Sequence, residues 1–211
     1  YGSFVSTTDE RIGQVLSTLD QLKLTDDTIV VYQSDHGHST EERTHFGGGN
    51  AGINRGAKAC LFEGGLKVPA IISWPGHIPT GEVRNQLGTG CDWFPTLADM
   101  CNIPVPNGHR FDGKSLKNVI MQDSDSPHPA FYWHMGGGNK PQWAVRRGNW
   151  KLLGNPRDTV SKQPVNTVDG MFLVDLENDP GETTNLAESE PDKLKEMVRL
   201  RARYLQSIAP Q

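Results

Sequence analysis

The sequence predicts an α/β fold followed by a small α+β appendix, and three observations lead there. Helical and buried-strand patterns alternate between residues 6 and 100. A polar, glycine-dense stretch from Ser34 to Gly65 interrupts them, far longer than an ordinary connection and of the kind that is functional or disordered. Near Pro127 the texture changes to short runs and one last helix. The expected domains are therefore 1–126, the α/β part, and 127–211, the α+β subdomain.

Thr7 stands three residues before Glu10, as in a capping box, and opens the first helix. Ile12, Val15, Leu16, Leu19 and Leu22 then recur at helical spacing over about 14 residues, giving an amphipathic helix. Thr28 to Gln33 is an unbroken β-branched run, the pattern of a strand buried on both faces of a parallel sheet. Val68 to Trp74 predicts a second buried strand, and Asp92 to Met100 a second helix with Pro95 in its first turn. Beyond Pro127, Trp143–Arg146 and Trp150–Leu153 flank Arg147-Gly148-Asn149 as an antiparallel hairpin, and Met171–Leu176 adds a strand. A terminal helix is expected from about Pro191 to Leu205.

Composition excludes several classes. Twenty-one basic against 25 acidic side chains give a net charge of -4, without the basic excess of a nucleic-acid binder. No apolar run approaches the roughly 18 to 20 residues of a membrane-spanning helix. An apolar content of 35% with five Trp, seven Phe and four Tyr is too high for a disordered chain. Cys60, Cys91 and Cys101 are too few and unpatterned for a disulfide or zinc framework, and their apolar surroundings predict packing. The chain begins with Tyr1 rather than Met, so the natural N-terminus is expected to lie upstream.

Ser34-Asp35-His36-Gly37-His38 follows the first predicted strand, at the edge where open α/β sheets place ligands. A carboxylate and an imidazole delivered together suit one metal ion; taken alone, the tripeptide equally suits a capping Asp beside a surface His. Downstream come Asn54-Arg55-Gly56-Ala57-Lys58, Phe62-Glu63-Gly64-Gly65-Leu66-Lys67-Val68-Pro69 and Trp74-Pro75-Gly76. Asp92-Trp93-Phe94-Pro95-Thr96-Leu97, Phe111-Asp112-Gly113-Lys114-Ser115-Leu116, Ala144 to Leu152 and Leu173 to Glu182 follow in order. This series resembles the C-terminal half of the formylglycine-dependent, arylsulfatase-like sulfatases of the alkaline-phosphatase-like superfamily, and the match covers nearly the whole chain.

The resemblance implies part of an alkaline-phosphatase-like sandwich with a mainly parallel sheet, then a subdomain with an antiparallel sheet and a terminal helix. It implies a sulfuric ester hydrolase using a divalent metal, usually Ca2+, with Asp35 and His36 on metal-ligand positions and Lys58 on the sulfate. Imidazole is unusual for calcium, so a direct ligand, an outer-sphere group or a softer metal stay open for His36. His38 and His45 in the long loop, and His134 beside Gly136-Gly137-Gly138, are candidate substrate contacts. Glu63 and Lys67 are expected to hold the loop, and His77, His109 and His128 to be surface residues. The partner implied is a sulfated small molecule or carbohydrate, and the compartment the periplasm, the exterior or the lysosome.

The family nucleophile arises from Cys or Ser within Cys/Ser-x-Pro-x-Arg, and no Cys or Ser here is followed by x-Pro-x-Arg. The nucleophile and its formylglycine are therefore expected upstream, and this chain alone is expected to be inactive, with an exposed sheet edge that favours instability or association. The alternatives are a phosphatase, phosphodiesterase or phosphonate hydrolase of the same superfamily, or a truncated non-catalytic binding module.

Overall fold

The computed structural model describes residues 1–44, 47–106 and 108–209. Its elements in order are α1 (Gly2–Gln21), β1 (Val30–Gln33), α2 (Glu63–Leu66), β2 (Ala70–Ser73), α3 (Trp93–Met100) and α4 (Lys117–Gln122). They continue as β3 (Phe131–Met135), β4 (Gln142–Arg147), β5 (Trp150–Gly154), β6 (Met171–Asp175) and α5 (Pro191–Ser207). Two compact units form: Tyr1–Ser3 with Ser34–Pro69 and Ala130–Gln211, and Phe4–Gln33 with Ala70–Pro129. The second segment of the latter ends three residues after the boundary at 126, while the long loop, expected to go with the α/β part, clusters with the C-terminal sheet.

In the unit built on Phe4–Gln33 and Ala70–Pro129, β1 and β2 pair antiparallel, Val30 opposite Ser73 and Gln33 opposite Ala70. This corrects the expected parallel arrangement. An unbroken apolar run reports a preference for burial and carries no sign of direction. The burial itself is partial, since Tyr32 is 44% and Ile71 61% exposed. Helix α1 begins earlier than its capping signal suggested and buries no residue; Val15, Leu16 and Leu22 are exposed while Ile12 and Leu19 are half-covered.

The hub of this unit is Asp92, fully buried. Its Oδ2 accepts the Thr89 N–H at 2.8 Å, closing a capping box before α3. Its Oδ1 accepts the Lys114 N–H at 2.8 Å and lies 2.8 Å from His128 Nε2. His128 is thus a buried partner, only 9% exposed at its side chain, and not the surface residue the sequence predicted. The short helix α4 gave no clear pattern; the Arg84 guanidinium donates to its carbonyls at Val119 (2.9 Å) and Ile120 (3.2 Å), a favourable place for a cation. Cys91 and Cys101 are exposed, which corrects their assignment to packing, whereas Cys60 is buried as expected.

In the other unit, β3-β4-β5-β6 form an antiparallel sheet in chain order. The β4–β5 hairpin turns at Gly148, whose φ of 57° is available to glycine at little cost. Strand β3 is not among the expected strands, although Phe131-Tyr132-Trp133 is strand-prone in itself. Side chains alternate across the sheet. Ala144, Leu153, Phe172 and Val174 meet Cys60, Leu61 and Phe62 from the long loop on one face. Val145, Leu152 and Leu173 meet Met197 of α5 on the other, where Tyr132 stacks on Tyr204 at 4.1 Å between ring centroids. Two apolar layers therefore clamp the sheet, one of them supplied by the segment that carries the candidate chemistry.

Candidate functional site

Asp35 and His36 leave the end of β1 in a tight turn. The Asp35 carboxylate receives the His36 N–H at 3.0 Å and lies 2.9 Å from His36 Nε2. The other ring nitrogen, Nδ1, sits 2.8 Å from the Gly37 carbonyl. Asp35 is otherwise open, its side chain 79% exposed.

Backbone bonds join this turn to the two motifs downstream. The Gly37 N–H donates to the Gly65 carbonyl at 3.1 Å, the Lys58 N–H to the His38 carbonyl at 2.9 Å, and the Gly64 N–H to the Arg55 carbonyl at 2.7 Å. Such contact needs glycine. A Cβ on Gly37 would fall 1.8 Å from the Gly64 oxygen, and one on Gly64 would fall 2.3 Å from the Gly56 oxygen. The Asp-His-Gly, Arg-Gly-x-Lys and Glu-Gly-Gly motifs are thus three strips of one scaffold.

Charged side chains bolt that scaffold to the C-terminal sheet. Glu63 binds Lys151 Nζ through Oε1 at 2.8 Å and Arg146 through Oε2 at 2.7 Å. Lys151, fully buried on β5, also donates to Glu182 Oε1 at 3.0 Å, and Glu182 Oε2 accepts the Glu63 N–H at 2.6 Å. Arg55 donates from Nε to Asp158 at 2.8 Å and from its end to the Glu182 carbonyl at 2.8 Å, its plane 4.2 Å from the Phe62 ring centre. Burial pushes the Glu63 carboxyl up, but Lys151 and Arg146 outweigh it and hold the group below its ordinary value. At Glu182 burial prevails over Lys151 and raises it. Asp158 is pushed up by burial and brought below its ordinary value by the hydrogen bond from Arg55. Glu63 therefore holds the loop, as the sequence predicted.

Between the anchors Arg55 and Glu63 stands Lys58, 27% exposed, its ammonium 3.4 Å from Glu41, which also pairs with Arg43. Glu41 is held below its ordinary value chiefly by Arg43. Lys58 lines a cleft of about 320 Å³. Asp35, His36, His38 and Lys58 are brought together through the backbone; His38 also has a buried Nδ1 without a hydrogen bond among the described residues. His45 lies outside the described residues. His134 is exposed on β3, and alternation puts it on the side of Tyr132 and α5, opposite the face that Cys60–Phe62 cover. Its cross-strand neighbour is Trp143, and the loop of Lys58 packs against the opposite face.

Sequence reasoning missed Lys151, Asp158 and Glu182 as anchors. Lys151 left a signal: it falls on the Leu153 side of β5, a charge at a core-facing position that requires buried counter-charges. Nothing local marks Asp158 or Glu182, whose partners lie 103 and 119 residues away.

Among the described residues no group of three or more His, Cys, Asp or Glu is placed to hold a metal. Asp35 and His36 offer two adjacent donors, and a cation would replace the imidazole proton as the carboxylate's partner. They fit a share of a divalent site that demands six or more oxygens if the ion is calcium.

The α/β unit with its antiparallel subdomain and terminal helix defines a chain of the alkaline-phosphatase-like superfamily. Residues 56–208 match the family "N-sulphoglucosamine sulphohydrolase, C-terminal" and residues 1–103 the family "Sulfatase". The chain belongs to the sulfatase family. It is 36% identical to human steryl-sulfatase over 64% of its own length and 24% of that protein, and 28% identical to bovine arylsulfatase A over 94% and 41%. A solved structure in complex with its substrate D-glucosamine-2-N,6-O-disulfate superposes with a TM-score of 0.73 at 25% identity, covering 96% of this chain and 39% of that one. The chain thus spans less than half the length of these relatives. No helix among the described residues is long and apolar enough to cross a membrane.

Proposed function

We propose that this chain supplies the sulfate-binding lysine and part of the metal site of an enzyme that hydrolyses sulfate esters. The observation that carries the proposal is the backbone scaffold joining Lys58 to the Asp35–His36 turn, because it fixes a cation and two metal donors relative to one another. Lys58 donates to sulfate oxygens, and its fixed charge opposes the negative charge that develops on them as the ester bond breaks. Asp35 and His36 would hold a share of the divalent ion, which when bound would supply Lewis-acid stabilisation of the same charge. The His38 carbonyl orients Lys58 through the backbone, and Glu41 keeps its ammonium paired until an anion competes for it. The nucleophile, a formylglycine in the family, is assigned to sequence upstream of this chain.

A sulfated sugar is the substrate class we favour, because the structure bound to D-glucosamine-2-N,6-O-disulfate resembles the chain over nearly its full extent. The family resemblance supports a location in the periplasm, the exterior or the lysosome. The test is 4-nitrophenyl sulfate turnover by the full-length protein and its Lys58→Ala variant. A fall in kcat of about 10² to 10³ is expected for loss of one preorganised donor. Turnover of 4-nitrophenyl phosphate in preference to the sulfate would overturn the assignment in favour of a phosphatase.

A further inference from the structure

The cleft beside Lys58 has a second wall that the motifs do not reach. Ser39, Thr40 and Glu41 line one side with Lys58, and Thr159 and Lys162 line the other. These last two belong to the polar loop between β5 and β6, from which no motif or function was read. The loop is built in place. Asp158 Oδ1 accepts the Val160 and Ser161 N–H groups at 2.9 and 3.0 Å, and the Asp158 carbonyl accepts the Lys162 N–H at 3.2 Å. Asp158 Oδ2 is in turn held by Arg55, three residues before Lys58. One ion pair therefore ties together the two loops that line the cleft.

The chemistry of that cleft is uneven. Lys58 is paired with Glu41, whereas the Lys162 side chain is exposed and makes no ion pair among the described residues. Thr159 Oγ1 is buried without a hydrogen bond among the described residues, a polar atom for which the folded chain provides no partner. Around about 320 Å³ stand hydroxyls, one carboxylate and, beside the paired Lys58, the unpaired Lys162 ammonium, which together can orient a sugar ring and meet a further anionic group on it.

Building on the sulfatase assignment, we propose that the Thr159–Lys162 turn is a specificity element, and that Lys162 binds a second anionic substituent, a sulfate or a carboxylate, on a saccharide whose scissile sulfate lies at Lys58. The cleft then selects multiply charged sugars over singly sulfated ones. Lys162 touches the substrate away from the reacting atoms, so it governs which ester is bound.

The test uses the full-length protein with two probes, glucosamine 6-sulfate and the same sugar carrying a second sulfate on nitrogen. Calorimetry gives affinities and initial rates give kcat/KM for both. The disulfated sugar is expected to bind about tenfold tighter, the scale of one charge-assisted hydrogen bond. Lys162→Ala is expected to bring that ratio close to one, and Lys162→Arg to restore most of it. Equal affinities in the unaltered protein, or an undiminished ratio in Lys162→Ala, overturn the proposal. Turnover of neither sugar would overturn the sulfatase assignment instead, and the ratio of affinities would still decide the role of Lys162.

Discussion

Lys151 Nζ lies 2.8 Å from Glu63 Oε1 in a place that no solvent reaches, and this contact fastens the loop of Lys58 to the C-terminal sheet. Its energetic weight follows from what removal leaves behind. Without the ammonium, Glu63 keeps Arg146 but Glu182 keeps no cationic side chain among the described residues, and both carboxylates stay buried. Lys151→Ala is expected to cost about 3–5 kcal/mol, the range for breaking a buried ion pair on one side. Lys151→Met should cost nearly as much, since restored packing does not neutralise Glu182. Urea denaturation measures both; a loss under about 1 kcal/mol in either variant would show the charges to be hydrated or self-compensating.

The same cluster sets the response to acid. Glu63 and Asp158 are held below their ordinary values of 4.5 and 3.8, so they favour the folded state above those values. That stabilisation disappears as pH falls through their lower folded values, when protonation breaks the bonds to Lys151 and Arg55. Glu182, raised by burial, acts in the opposite sense and loses stability as pH climbs past 4.5 towards its folded value. Tm is therefore expected to fall on the acid side through Glu63 and Asp158 and to decline above 4.5 through Glu182, and Glu63→Gln should flatten the acid limb while lowering Tm above it. Parallel profiles for the variant and the unaltered protein would exclude Glu63 as a source of the acid response.

How far the sequence disclosed this arrangement depended on whether a residue's partner was near in the chain. The hairpin at Gly148 and the helix beginning at Pro191 rest on local chemistry, and they were legible. Gly37 and Gly64 stand inside the motifs quoted above, and the structure shows the backbone that approaches them. The antiparallel pairing of β1 and β2 was not legible, because β-branched runs look alike in either direction. Nor was the burial of His128, which depends on an Asp92 carboxylate 36 residues earlier.

Glycine positions separate structural from permissive roles. Gly37→Ala forces a carbon to within 1.8 Å of the Gly64 carbonyl oxygen, where both partners are backbone and neither can rotate away. A loss of about 1–3 kcal/mol is expected, as for overpacking, and in the full-length enzyme a larger loss of kcat than of stability, because the Asp35–His36 turn must move. Gly13→Ala should do the reverse. It lies inside α1 with nothing within 4 Å of its added carbon, so stability should rise by about 0.5–1 kcal/mol. Equal effects of the two substitutions in thermal denaturation would refute the scaffold argument.

Asp92 offers the sharpest test of the other unit. Its carboxylate accepts two backbone N–H groups and faces His128 Nε2, all at 2.8 Å, and the Thr96 hydroxyl donates to its carbonyl at 2.6 Å. Asp92→Ala removes the acceptor of the Thr89 and Lys114 N–H groups and the partner of His128 Nε2, and at about 1–3 kcal/mol for each unsatisfied group the total should reach at least about 3 kcal/mol. Asp92→Asn keeps one acceptor oxygen but sets an NH₂ group against a donor, so it should recover less than half of that loss. His128→Ala leaves the capping box and the Lys114 bond in place and should cost about 1–2 kcal/mol. The order Asp92→Ala, Asp92→Asn, His128→Ala, from most to least destabilising, is read from denaturation midpoints. If His128→Ala proved as damaging as Asp92→Ala, the imidazole and not the capping box would be what holds the start of α3.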